Sequence, residues 1–148
     1  MIVVAQRCSS AKVLVNKTVI SEINLGLLLL VGIEVGDGQA DIKKVVKKIS
    51  HLRIFEDDNK KMNLSIIDIS GSLLVVSQFT LCGDIKKGRR PSFINAESPK
   101  LSLRLYEDLM SSFRENNIQT LGGAFGQMMD VELINKGPTT FIINSKEI

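Results

Sequence analysis

Residues 25–52 read LGLLLLVGIEVGDGQADIKKVVKKISHL, and the change of period inside this stretch decides the fold class. Leu25 to Ile33 is a nine-residue apolar run interrupted by glycine. A bilayer span takes about 20 residues, so this run has the length of a buried strand. Beyond Gly36-Asp37-Gly38, Ile42, Val45, Val46, Ile49 and Leu52 recur at spacings of three and four, with Lys43, Lys44, Lys47 and Lys48 between them. That spacing predicts an amphipathic helix with Asp41 as its N-cap and a solvated lysine face. Strand period giving way to helix period predicts a sheet covered by helix.

Both flanks continue the pattern. Ile2 to Val4 and Lys12 to Val15 read as short strands parted by Ser9-Ser10. Asn16-Lys17 then turns the chain into Thr18-Val19-Ile20 as a hairpin without the usual glycine. Downstream, residues 56–61 form a polar turn, and Leu73 to Leu81 reads as a buried strand followed by a polar loop to Pro91. Ser98-Pro99 opens a second helix, since proline at the first helical position loses no bond, and Leu101, Leu105, Tyr106, Leu109 and Phe113 form its apolar stripe. Gly122-Gly123 breaks the chain before Met129, Val131 and Leu133, which alternate with Asp130 and Glu132. A last strand runs from Thr139 to Ile143. The expectation is one α+β domain over residues 1–148, with a mostly antiparallel sheet and two main helices.

Lys plus Arg is 19 against 16 for Asp plus Glu, a net charge of +3 that permits a nucleic-acid partner without pointing to one. Cys8 and Cys82 make no disulfide framework, and no signal peptide or membrane span is visible. A cytoplasmic protein is expected. His51 is the only histidine and sits on the predicted helix between Ile49 and Leu52. Without a second histidine, a cysteine pair or carboxylates at ligand spacing, no metal and no cofactor are expected. Gly36-Asp37-Gly38 lacks the third glycine and the lysine of a phosphate loop, and no Ser-His-Asp or Cys-His arrangement can be assembled.

Two segments are chemically odd for their positions. Ser77-Gln78-Phe79-Thr80 finishes an apolar strand with polar side chains, which must find backbone, water or substrate partners. Alternation would put Gln78 and Thr80 on one face, Ser77 and Phe79 on the other. Asn135-Lys136-Gly137-Pro138-Thr139 reads as a tight connection between two strands. If its Gly-Pro bond is cis, neighbouring carbonyls can point together and capture an ammonium group; otherwise it is an ordinary turn.

Together these residues resemble a family. Ser77-Gln78-Phe79-Thr80-Leu81 is similar to the SQFTL signature of D-aminoacyl-tRNA deacylases, and Asn135-x-Gly137-Pro138-x-Thr140 to their NxGPxT signature. Gln6-Arg7, Gly26-Leu27-Leu28, Arg53-Ile54-Phe55, Lys61-Met62-Asn63, Lys87-Gly88-x-Arg90-Pro91-Ser92-Phe93 and Phe125-Gly126-x-Met128-Met129-x-Val131 extend the match in family order. Thr139 departs from the family's usual valine, and Cys82-Gly83 stands where small residues such as alanine are common.

The resemblance implies a barrel-like core and a homodimer with its active sites at the subunit interface. It implies hydrolysis of the ester joining a D-amino acid to the terminal adenosine of tRNA, with mischarged glycyl-tRNA as a further substrate. Ser77, Gln78, Phe79 and Thr80 would line the reacting ester. Gly137 and Pro138 would reject L-amino acids, Arg7 would brace their turn, and Met129 would help hold the adenine. An activated ester beside a ribose hydroxyl needs positioning and oxyanion stabilisation more than a strong nucleophile. Backbone N–H groups of Phe79 and Thr80 are therefore favoured over a Thr80 nucleophile, which has no evident base. Two rival classes remain at this stage. One is a non-catalytic nucleic-acid-binding module using Lys86, Lys87, Arg89 and Arg90; the other is a Thr-dependent amidase.

Overall fold

The structure, a computed structural model, describes residues 1–86 and 88–148. Strands β1 (Ile2–Val15), β2 (Thr18–Ile23) and β3 (Gly26–Gly32) come first. Helix α1 (Gln39–His51), a short pair β4 (Phe55–Glu56) and β5 (Met62–Leu64), and β6 (Ser72–Ser77) follow. Helix α2 (Pro99–Glu115), β7 (Gln119–Gly122) and β8 (Asp130–Asn144) complete the chain.

β1 is the hub of the sheet. Its first half pairs with β3, its second half with β2, and its other edge with β8, all antiparallel. β3 to β6 and β6 to β7 are parallel, so the sheet is mixed. It curls until β2 meets β7, where Ser21 Oγ donates to Gly122 O across 2.6 Å. The expected α+β domain with two helices and a nearly closed sheet is what the chain forms.

Curling makes both sheet faces apolar. Cys8, Val13, Ile23, Leu28, Leu74 and Val76 pack inside the curl. Val3, Leu27, Leu29, Leu73 and Val75 face the other way, onto Ile42, Val45 and Ile49 of α1 and Leu105, Leu109 and Phe113 of α2. Strands buried on both faces carry unbroken apolar runs, which is why Leu27 to Val31 and Leu73 to Val76 show no alternation.

Several local expectations are corrected. β1 runs on through Ser9-Ser10, absorbing Ser9 as a bulge between the pairs Cys8–Asn135 and Ser10–Ile134. The hairpin, by contrast, forms as expected without glycine, because Asn16 and Lys17 both adopt positive φ, 49° and 65°. Gly38 is the N-cap of α1; Asp41 sits three residues on, its carboxylate accepting from Gly38 N at 3.0 Å. Leu101, placed in the α2 stripe, is 39% exposed, because the first turn of α2 overhangs the core. Residues 119–122, assigned no element from sequence, form β7. The final strand pair is one strand, β8, paired along β1 from end to end.

Candidate active site

The signature strand ends sooner than alternation suggests. β6 follows β3 as far as the Val31–Ser77 pair, and Gln78 N still donates to Val31 O at 2.7 Å. Phe79–Cys82 then wind into a single 3-10 turn, with Leu81 N on Gln78 O. The alternation that put Gln78 with Thr80 on one face and Ser77 with Phe79 on the other therefore does not apply. Gly32 permits this turn: a Cβ there would lie 2.9 Å from Leu81 Cβ, 3.0 Å from Cys82 Sγ and 3.1 Å from Gln78 O. Phe79 and Thr80 occupy the first positions of the turn, where N–H groups have no acceptor within it.

These residues form one wall of a cavity of about 640 Å³, lined by Ser77, Gln78, Phe79 and Thr80 together with Val31, Ile33 and Val76. A second wall is Ala96, Glu97, Pro99 and Ser102, at the start of α2; a third is Phe125 to Met129 with Val131. Phe79 is 57% exposed, and its ring meets Phe93 edge-on at 5.0 Å. Met129 is seated against Gly123, where a Cβ would come 2.8 Å from its sulfur. Behind the cavity, Val75 O accepts from both Tyr106 Oη at 2.7 Å and Gly123 N at 2.9 Å, tying α2 and the third wall to β6. Burial pushes the Tyr106 hydroxyl up to about 12, so it stays a neutral donor.

The cavity is poor in reactive groups. Thr80 Oγ1 receives a 2.5 Å hydrogen bond from the Gln78 amide, which is no base in either orientation. His51 is exposed at the end of α1 and does not line the cavity. Cys8 and Cys82 are buried, and that burial raises both thiols above their usual range. Glu97 is the only ionisable residue of the lining among the described residues.

The second signature lies elsewhere. Between the pairs Gln6–Thr140 and Cys8–Asn135, β1 has one residue, Arg7, while β8 has four, Lys136 to Thr139. Gly137-Pro138 is thus the crest of a bulge on one strand, and its peptide bond is cis. Both residues are exposed, and neither lines the cavity of their own chain. Arg7 is only 3% exposed and sits beneath the crest. It donates from Nε to Lys136 O at 3.0 Å and from Nη1 to Ile54 O at 2.6 Å, with Glu56 3.5 Å from Nη2. Thr139 is buried, and its hydroxyl finds no partner among the described residues.

The structure brings Ser77, Gln78, Phe79, Thr80 and Met129 around one cavity, and joins Arg7 to the Gly137-Pro138 bulge. It does not bring these two groups together within one chain. Sequence reasoning missed Glu97 and Ser102, which come to the cavity because Glu97 N bonds Ile33 O at 3.0 Å, a contact with no local signal. Lys86, Arg89 and Arg90 are exposed on the loop after the signature turn, anchored by Asp84 and Ser92 bonding each other at 2.8 and 2.9 Å. Lys87, which belongs to the same basic group, lies outside the described residues.

Residues 4–144 match the model of a family described as D-Tyr-tRNA(Tyr) deacylase. A D-aminoacyl-tRNA deacylase of Geobacillus sp. (strain WCH70) is 51% identical over 99% of this chain and 97% of its own length. One of Clostridioides difficile (strain 630) is 49% identical over 97% of each chain. The solved c-Myc DNA Unwinding Element Binding Protein superposes with a TM-score of 0.91 at 34% identity, covering 97% of this chain and 98% of that one. A probable eukaryotic D-amino acid tRNA deacylase shares the fold at a TM-score of 0.75 and 18% identity, over 96% of this chain and 98% of that one.

Proposed function

The chain belongs to the D-Tyr-tRNA(Tyr) deacylase family and is a D-aminoacyl-tRNA deacylase, a hydrolase; on that premise we propose how its two signatures perform the reaction. Two copies form a homodimer in which the Gly137-Pro138 bulge of one subunit completes the cavity of the other. What supports this reading is that the bulge and the cavity do not meet within one chain, although the bulge stands exposed and rigidly braced by Arg7.

The terminal adenosine of tRNA rests against Met129 and the third wall, and the ester carbonyl lies over the Ser77–Thr80 turn. Water adds to the carbonyl, and the oxyanion accepts from the N–H groups of Phe79 and Thr80. Collapse breaks the bond to the ribose oxygen, which leaves as a hydroxyl by taking the proton that the attacking water gives up. Thr80 contributes position and polarity rather than a nucleophile, because the group on its hydroxyl is an amide.

Main-chain carbonyls of the partner's Gly137 and Pro138 hold the α-ammonium and occupy the direction an L side chain would take. A D side chain points out of the cavity, and glycine on the wrong tRNA also enters. Proofreading of this kind belongs in the cytoplasm, where aminoacyl-tRNA is made. A non-catalytic nucleic-acid-binding module, the second reading, draws on Lys86, Arg89 and Arg90 and on the similarity to a DNA unwinding element binding protein. It leaves the apolar, precisely walled cavity without a use.

The test is complementation. A subunit disabled at the cavity by Phe79→Pro, mixed with one disabled at the bulge by deletion of Gly137-Pro138, should regain one working site per heterodimer while both homodimers stay inactive. Mixed dimers that form but remain inert would overturn the shared site.

A further inference from the structure

We propose that Glu97 is a specificity-determining residue that selects esters bearing an α-ammonium group and helps expel the product; this rests on the deacylase reading above. Among the described residues, Glu97 is the only one lining the cavity that carries a charge. Among the described residues, the other walls are hydrocarbon, thioether, aromatic, hydroxyl and amide groups. It pairs with no cation among the described residues, since the recorded ion pairs involve other carboxylates.

Its position is well defined. Glu97 N donates to Ile33 O at 3.0 Å, and Ser102 Oγ, itself in the lining, donates to Glu97 O at 3.2 Å. The carboxylate accepts from Ser98 N at 2.6 Å, which favours the ionised form and makes Glu97 a weak base. Glu97 is half-buried and its hydrogen bond to Ser98 N faces solvent, so its charge is partly screened; near a protein surface such a charge still acts over several ångströms.

The charges of the reaction fit that field. An aminoacyl ester carries one formal charge at its amino-acid end, the positive ammonium, and no carboxylate. Hydrolysis creates a carboxylate on the amino acid, releasing a proton at neutral pH. The carboxylate of Glu97 therefore attracts the substrate's amino-acid end and repels the new anion of the product. An ester whose α-ammonium is replaced by a hydroxyl has the same shape but loses the attraction.

The test compares tRNA esters of D-tyrosine and of its α-hydroxy analogue, measuring kcat/KM for each with the full-length protein. In the wild type the ammonium ester is preferred. Glu97→Gln should shrink that preference about tenfold, with the loss falling on the D-tyrosine ester and mainly on KM. Glu97→Asp should restore most of it, and Glu97→Lys should reduce it further. Equal losses on both esters would mean that Glu97 acts as a base or only as a structural residue, and would overturn the proposal. An unchanged ratio would do the same. A wild type inert on both esters would instead defeat the deacylase mechanism on which the inference stands.

Discussion

Ser77–Thr80 and Asn135–Thr140 are both short polar interruptions of apolar strands, yet the sheet treats them oppositely. The first ends β6, whose strand is flanked on both sides by β3 and β7, and its chain must leave the sheet. It does so by tightening into a turn over Gly32, whose first residues line a cavity. The second interrupts β8, which pairs with β1 alone among the described residues, and pairing resumes on its far side. There the surplus residues are pushed outward as a bulge, and a buried arginine fills the space beneath. A strand paired along both edges more readily sheds surplus residues at its end, whereas an edge strand, with one ladder to disturb, more readily carries them at its middle. One segment therefore shapes a concave surface and the other a convex one, which is the complementarity the proposed dimer uses.

The brace is where this contrast breaks most easily. Arg7→Ala removes the donors for Lys136 O and Ile54 O and leaves both carbonyls beside a cavity. Stability should fall by about 2–4 kcal/mol, read from the denaturant midpoint. Deacylation should fall roughly a thousandfold under conditions where the variant is folded, because displacement of about 1 Å already costs on the order of a hundredfold. An Arg7→Ala variant with full activity would show that the bulge needs no brace.

At the other segment, Thr80→Ala should be milder. If backbone donors hold the oxyanion, kcat should drop about tenfold, against roughly ten-thousandfold or more for a lost nucleophile. Trapping of an acyl-Thr80 adduct by rapid quench and mass spectrometry would reverse this assignment.

The smallest effect has the opposite sign. Thr139 is 1% exposed with an unpartnered hydroxyl, so Thr139→Val keeps the shape and removes a buried polar atom. A gain of about 1 kcal/mol in unfolding free energy is expected, with deacylation within about twofold of wild type. Destabilisation by this change would mean that the hydroxyl has a partner, such as a water or the second subunit.

Much of this molecule is legible in its sequence. The helix period of Ile42 to Ile49, the Ser98-Pro99 start and the apolar runs of β3 and β6 give the α+β class, because periodicity reports which face of a local element is buried. The signature residues give the family and name one wall of the cavity. Their conformations are less legible. Alternation fails at Gln78, and Gly137-Pro138 looks like a hairpin turn because a bulge and a turn draw on the same residue types.

What only the tertiary structure decides is which distant residues meet. Arg7 reaches Lys136 across 129 positions, Glu97 comes to the cavity through Ile33, and β8 stays one strand because β1 is long enough to pair with both of its halves. Local sequence sets the burial pattern of each element, since that depends on its own spacing of apolar groups. Bulges, braces and cavity walls depend on register between strands and on contacts closed over long loops, and no local pattern encodes those.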